Sequence, residues 1–198
     1  MYDLLHIYDS GTNALMRYDF SLRHADVTLA VKATRIKEVI FGEGEVAYTD
    51  FGPVPAEPHT NKYDVGGTDA LLSALDDQVA KGSTFRRVVF STHGKPGAIY
   101  IGNEPITAGV LQRYFRNYYR LFPFVTRMYF NACNVAEGDA GWEFLETAGN
   151  IFLRSQGGEV FAWDSWGFAL PYHSHYFWGS TRYVVVGPGG RIIKRYSK

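Results

Sequence analysis

RRVVFSTHG (Arg86–Gly94) and RMYFNACN (Arg127–Asn134) decide how this chain is read. Each is a short apolar run, entered through charge and left through a small or polar turn. Such runs suit strands buried on both faces of a parallel sheet, where the usual in–out alternation disappears. GEVFAW (Gly158–Trp163) has the same character. Between these runs lie patterns of helical period. Thr107–Leu121 carries Val110, Leu111, Tyr114, Tyr118 and Leu121 on one side, and Asp139–Arg154 carries Trp142, Leu145, Phe152 and Leu153. Upstream, Leu71, Leu72, Leu75 and Val79 recur at helical spacing after Thr68, the expected N-cap, and Lys81-Gly82 ends that helix. Alternation of strand and helix from residue 68 to 163 implies parallel strands joined by right-handed crossovers.

Outward from this core the signals are of other kinds. Met1–Asp9, Val27–Val31, Glu38–Phe41 and Glu45–Phe51 are expected strands. Asp50–Tyr63 holds Pro53, Pro55 and Pro58 and is expected to be a loop. Ala98–Ile101 is a short strand after the Lys95-Pro96-Gly97 turn. Arg182–Val186 and Arg191–Tyr196 flank Gly187-Pro188-Gly189-Gly190, which predicts a C-terminal β-hairpin. The class is therefore α/β, with a mostly parallel central sheet. At 198 residues, without repeats or a linker, one domain spanning 1–198 is expected.

In parallel sheets, ligands collect beyond the carboxyl ends of the strands. Arg86–Ser91 runs into Thr92-His93-Gly94, and Arg127–Asn131 runs into Ala132-Cys133-Asn134, so His93 and Cys133 are expected on one rim. Cys133 is the single cysteine, which excludes an internal disulfide and a multi-thiolate zinc site. A lone cysteine is either a small packed residue or a reactive thiol. A thiol reacts as its thiolate, which a neighbouring imidazole promotes, and an acyl intermediate needs donors for its oxyanion. Gly94 lets the backbone approach a substrate closely, so its N–H is one candidate donor, and the N–H of Cys133 is the other. Taken singly, His93 reads equally as a hydrogen-bonded loop residue and Cys133 as packing.

Composition excludes other classes. Twenty basic residues balance 20 acidic ones, and the basic residues are scattered, so no surface field favours nucleic acid or an anionic membrane. No apolar run approaches the ~18 residues that span a bilayer. Met1–Leu15 lacks the cationic start and apolar stretch of a signal peptide, so a cytoplasmic origin is expected, with specialised export compatible.

The two decisive segments also carry a resemblance. VVFSTHGKPGAIYIG (Val88–Gly102) resembles the histidine segment of the caspase-like cysteine peptidases, clan CD, and RMYFNACNVAEGDAGWEFL (Arg127–Leu145) resembles their cysteine segment. The nearest branch is a bacterial domain of unknown function found in large adhesins and RTX-type proteins, with the patterns SHG-PG-hhhG and GCNVA-G--G. CHAT domains and toxin self-processing peptidases share the broader pattern. The resemblance covers about residues 66–168. It implies a caspase-like three-layer α-β-α sandwich and a cysteine endopeptidase with His93 as general base, Cys133 as nucleophile and Gly94 as an oxyanion donor. A protein or peptide substrate is implied, and no cofactor. The QAC-G signature of eukaryotic caspases is absent, and Asn131-Ala132 stands where metacaspases place an acid before the cysteine. Acidic or basic cleavage specificity is therefore not carried over. A non-catalytic interaction module of the same fold, and a different cysteine hydrolase such as an amidase or acyltransferase, are the alternatives.

Further residues fall near the rim. Asp164 follows the third buried strand and can bind a basic side chain, although a turn or cap residue is the simpler reading. Trp163 and Trp166, with Phe168, can wall a cleft or pack in the core. His173 and His175 share a strand face, with no third ligand in view for a metal. Glu137 and Asp139 flank the Cys133 turn; binding a cation as an activation switch is one reading, and a solvated turn and a helix N-cap is the simpler one. Asn134 and Ser91 either orient the dyad or close turns.

Overall fold

The computed structural model describes residues 4–9, 36–42, 45–51, 59–62, 67–170, 173–177 and 179–198. Strands β1 (Leu4–Asp9), β2 (Ile36–Gly42), β3 (Glu45–Phe51) and β4 (His59–Lys62) precede helix α1 (Thr68–Ala80). Strand β5 (Arg87–Ser91) leads into a small three-stranded sheet, β6 (His93–Lys95), β7 (Ala98–Ile101) and β8 (Glu104–Thr107). Helix α2 (Ala108–Tyr114) and a 3-10 turn (Tyr118–Leu121) then bring the chain to β9 (Thr126–Asn131), α3 (Gly138–Phe152) and β10 (Gly158–Trp163). A separate hairpin, β11 (Gly167–Leu170) with β12 (His173–Phe177), is followed by β13 (Thr181–Val186) and β14 (Ile192–Ser197).

The main sheet has the order β14-β13-β10-β9-β5-β1-β2-β3-β4. Strands β2, β1, β5, β9 and β10 are mutually parallel, and the flanking strands are antiparallel. The mostly parallel sheet and the C-terminal hairpin expected from the sequence are both present. Strand β2 lies on one side of β1, and the chain later returns to the other side with β5. The order therefore reverses between β1 and β5, and a crevice opens beyond the carboxyl ends of strands at such a switch point. The exits of β5, β9 and β10 share that end, which brings the residues after Ser91, Asn131 and Trp163 to one rim.

Alternation along the central strands separates two unlike faces. Val88, Phe90, Met128, Phe130, Val160, Ala162, Val184 and Val186 are buried in one cluster with Leu71, Ala74 and Leu75 of α1 and with Phe144, Leu145 and Ala148 of α3. Phe130 sits 4.9 Å from both Phe90 and Phe144, ring centroid to centroid. The opposite face carries a ladder of half-buried rings across four strands. Tyr129 stacks on Phe161, Phe161 on Tyr183, and Tyr183 on Tyr196. The high aromatic content thus divides between a dry core and this ladder.

Helices α1, α2 and α3 join one layer through mutual contacts and through the 3-10 turn. These three helices are the α-helices among the described residues, and the expected strand Val27–Val31 falls outside the described residues. Three local expectations are corrected. Thr68 is the first helical residue rather than the cap: Gly67 precedes it at φ 69°, and the Thr68 N–H donates to the Glu104 carboxylate at 2.9 Å. The expected helix Thr107–Leu121 breaks after Tyr114. Its apolar stripe does not keep one helical phase, because Tyr114 is 47% exposed while Phe115 is fully buried. The break lets the Tyr118 hydroxyl reach Asp76 on α1 at 2.8 Å. Within the expected loop Asp50–Tyr63, residues 59–62 form β4 against β3, clear of the prolines.

Candidate active site

The rim is built first from backbone. Strands β5 and β9 pair as far as Ser91 with Asn131, and the Thr92 N–H continues the ladder to the Asn131 carbonyl at 3.3 Å. His93 starts β6, the edge strand of the small sheet, and is exposed. On an edge strand alternate N–H groups face away from the partner strand.

Gly94 brings the two segments into contact. A methyl group on its Cα would lie 2.5 Å from the Cys133 carbonyl oxygen, 2.6 Å from Val135 Cγ2 and 2.9 Å from Ala132 Cβ. No side chain fits there, so the His93 strand and the Cys133 turn pack backbone against backbone. The Gly97 N–H adds a hydrogen bond to the Val135 carbonyl at 3.0 Å, and Gly97, at φ 73°, lies against Ala140 of α3. Gly94 and Gly97 thus fasten the His93 segment to the Cys133 segment.

The turn itself is tight. Asn134 adopts φ 57°, a left-handed conformation that asparagine tolerates better than most residues. Its carbonyl accepts from the Glu137 N–H at 2.9 Å, so Asn134 closes the turn. Gly141, one turn into α3, seats directly on the Ala136 backbone. Cys133 is half-buried between neighbours that are almost wholly buried. As residues, Cys133 is neither sealed in the core nor fully in solvent, and His93 is exposed.

The far side of the turn meets the exit of β10. The Asn134 N–H donates to the Ser165 carbonyl at 2.9 Å and the Ala136 N–H to the Trp163 carbonyl at 2.8 Å. Asp164 is fully engaged: the Ser180 N–H and hydroxyl donate to its two oxygens at 2.7 and 2.6 Å, and Arg182 Nε lies at 3.4 Å. Its observed work is to close the neck of the β11–β12 hairpin. Trp163 is buried with its ring edge-on to Tyr129, whereas Trp166 is 72% exposed. Of the two tryptophans, Trp166 is the one able to touch a ligand.

Other expected residues stand apart. Glu137 and Asp139 are exposed; Glu137 occupies the N-cap position of α3 and Asp139 its first turn. His173 and His175 lie in β12, and their side chains, like that of Ser91, fall outside the described residues. Among the described residues no group of three His, Cys, Asp or Glu is placed to hold a metal ion, and no helix is long and apolar enough to cross a membrane. Sequence reasoning missed Ser180 and Arg182. Nothing local marked them: Arg182 read as the first residue of a hairpin strand.

Comparison with known proteins adds the following. Residues 59–155 match a family model described as Domain of unknown function (DUF4347), a span that includes both His93 and Cys133. No curated protein matches the chain. Among solved structures, the chain is similar to a secreted C11 cysteine protease from Bacteroides thetaiotaomicron, in complex with an irreversible peptide inhibitor, at 13% identity and a TM-score of 0.48. That match covers 83% of this chain and 49% of the protease, so the chain spans about half of its length.

Proposed function

We propose that this domain is a caspase-like cysteine endopeptidase with a His93–Cys133 dyad. Cys133 Sγ attacks the scissile carbonyl carbon, and His93 takes the thiol proton. The tetrahedral oxyanion is held by the backbone N–H groups of Gly94 and Cys133. Collapse breaks the C–N bond, His93 gives its proton to the leaving amine, and a thioester joins the substrate to Cys133. Water, deprotonated by His93, then hydrolyses the thioester and restores the thiol. The substrate is an extended protein segment, with exposed Trp166 offering an apolar surface beside the turn. The chemistry uses groups of this chain and water.

One observation carries this reading: Gly94 rests on the Cys133 carbonyl, so the only cysteine and an exposed histidine occupy touching loops at the exits of adjacent strands. The test is cleavage of a broad peptide library, followed by mass spectrometry. The wild type is expected to generate new peptide termini, and Cys133→Ala and His93→Ala to lose about a thousandfold or more of that activity. Cleavage of ester or side-chain amide bonds alone would point to a different cysteine hydrolase. No turnover by the wild type, with specific capture of an intact peptide, would favour an interaction module.

A further inference from the structure

The Cys133 turn is held between two other segments as well as by its own hydrogen bond from Glu137 to Asn134. Its left-handed residue, Asn134 at φ 57°, holds a backbone conformation that a non-glycine residue populates sparsely. On the β6 side the turn is stopped sterically by Gly94. On the other side it meets residues 163–165, which lead into the β11–β12 hairpin.

The Arg182 side chain spans that second junction. Arg182, on β13, donates through Nη1 to the Gly138 carbonyl at 2.7 Å. Its Nε lies 3.4 Å from Asp164 Oδ2, the carboxylate that also holds Ser180. Its guanidinium lies 5.0 Å from the centre of the Trp142 ring, one turn into α3. Only 21% of the Arg182 side chain and 16% of Asp164 are exposed, so water screens this pair less than a surface ion pair. One planar guanidinium therefore touches the end of the Cys133 turn, the first turn of α3 and the neck of the hairpin.

We infer that Arg182 is the positioning residue of the Cys133 turn, holding it in register with the exit of β10 so that the thiol keeps its place against His93. Arg182 does not touch the reacting atoms; it acts through Gly138 and Asp164. The catalytic consequence rests on the nucleophile proposed above, while the mechanical one does not. Arginine suits the task because its fork donates in two directions while its plane stacks on a ring, which lysine does less well.

Two readouts test this on the full chain. The first is hydrogen exchange of the Asn134 and Ala136 amides, which the turn donates to Ser165 and Trp163. Arg182→Ala is expected to exchange at these sites about tenfold faster or more, with α1 amides unchanged. Arg182→Lys, keeping the charge and one donor, is expected to recover part of the protection. The second is the rate of Cys133 alkylation by iodoacetamide at neutral pH. A displacement of the order of 1 Å at a reacting group costs up to about a hundredfold, so Arg182→Ala is expected to lose about tenfold or more. If Arg182→Ala does not fold, Asp164→Asn serves, since it removes the ion pair while keeping an acceptor for Ser180. Unchanged exchange at Asn134 and Ala136 in these variants overturns the inference. Slow alkylation of the wild type, equal to that of His93→Ala, instead sinks the proposed nucleophile and leaves the exchange result to decide the role of Arg182.

Discussion

The Cys133 turn stands between two walls made of different material. The β6 wall is steric: Gly94 and Gly97 press backbone on backbone, and no atom can be added. The β10–β13 wall is polar: Asp164, Ser180 and Arg182 join by hydrogen bonds and charge. A steric wall fixes position absolutely but tolerates no substitution. A polar wall yields gradually, and conservative replacements preserve part of it. The first holds the start of β6 against the Cys133 turn, and the second sets how firmly the turn is held there.

This contrast breaks most readily at Gly94. Gly94→Ala puts a methyl into the Cys133 carbonyl, so thermal or urea unfolding is expected to show a loss of about 1–3 kcal/mol, as for overpacked sites, together with loss of peptide cleavage. A variant that keeps both stability and cleavage would mean the two loops are not in contact. Gly97→Ala is expected to cost about as much, combining a positive φ with the close approach of Ala140. At the polar wall, Asp164→Ala strips partners from the Ser180 N–H and from Arg182, and a loss of about 1–3 kcal/mol is expected, with Asp164→Asn milder. Equal losses from Asp164→Asn and Asp164→Ala would show that the second wall is as intolerant as the first.

The smallest effect concerns the hairpin that carries Arg182. The Tyr196 phenol donates to Glu159, and this bond, with partial burial, pushes its pKa up to about 12. Burial and the nearby Glu159 charge raise Tyr183, its cross-strand neighbour, in the same direction. In the unfolded chain these phenols ionise near their ordinary value of 10, before the folded ones do. The stability Tyr196 contributes is therefore complete below about pH 10 and is lost as pH rises towards 12, with Tyr183 acting in the same direction. Unfolding midpoints measured at pH 9 and pH 11 are expected to fall, and Tyr196→Phe is expected to shallow that fall while costing under about 1 kcal/mol at pH 7.

The two walls also differ in how well the sequence discloses them. The steric wall lies within short motifs: a buried run, then HG, then a Lys-Pro-Gly turn, so the strand exits and the loop glycines were legible from residue order. The core strands and α3 were legible for the same reason, because apolar runs and a helical stripe act locally. The polar wall joins residues far apart in the chain, and an aspartate after a strand looks the same whether it binds a ligand or a serine 16 residues later. The expected long helix after Thr107 failed for a related cause. Its stripe combined Tyr114, which faces solvent, with Tyr118, which is drawn to Asp76 across the fold. Trp163 and Trp166 looked alike in sequence, and only the register of β10 buries one and leaves the other exposed.

The measurement closest to the central claim is the intact-mass time course of iodoacetamide labelling at pH 7, with wild type and His93→Ala side by side. Coupling between the imidazole and the thiol predicts that Cys133 in the wild type is labelled well ahead of a free cysteine peptide, and that His93→Ala falls to or below the peptide's rate at unchanged stability. Equal labelling rates for the two proteins would contradict the dyad.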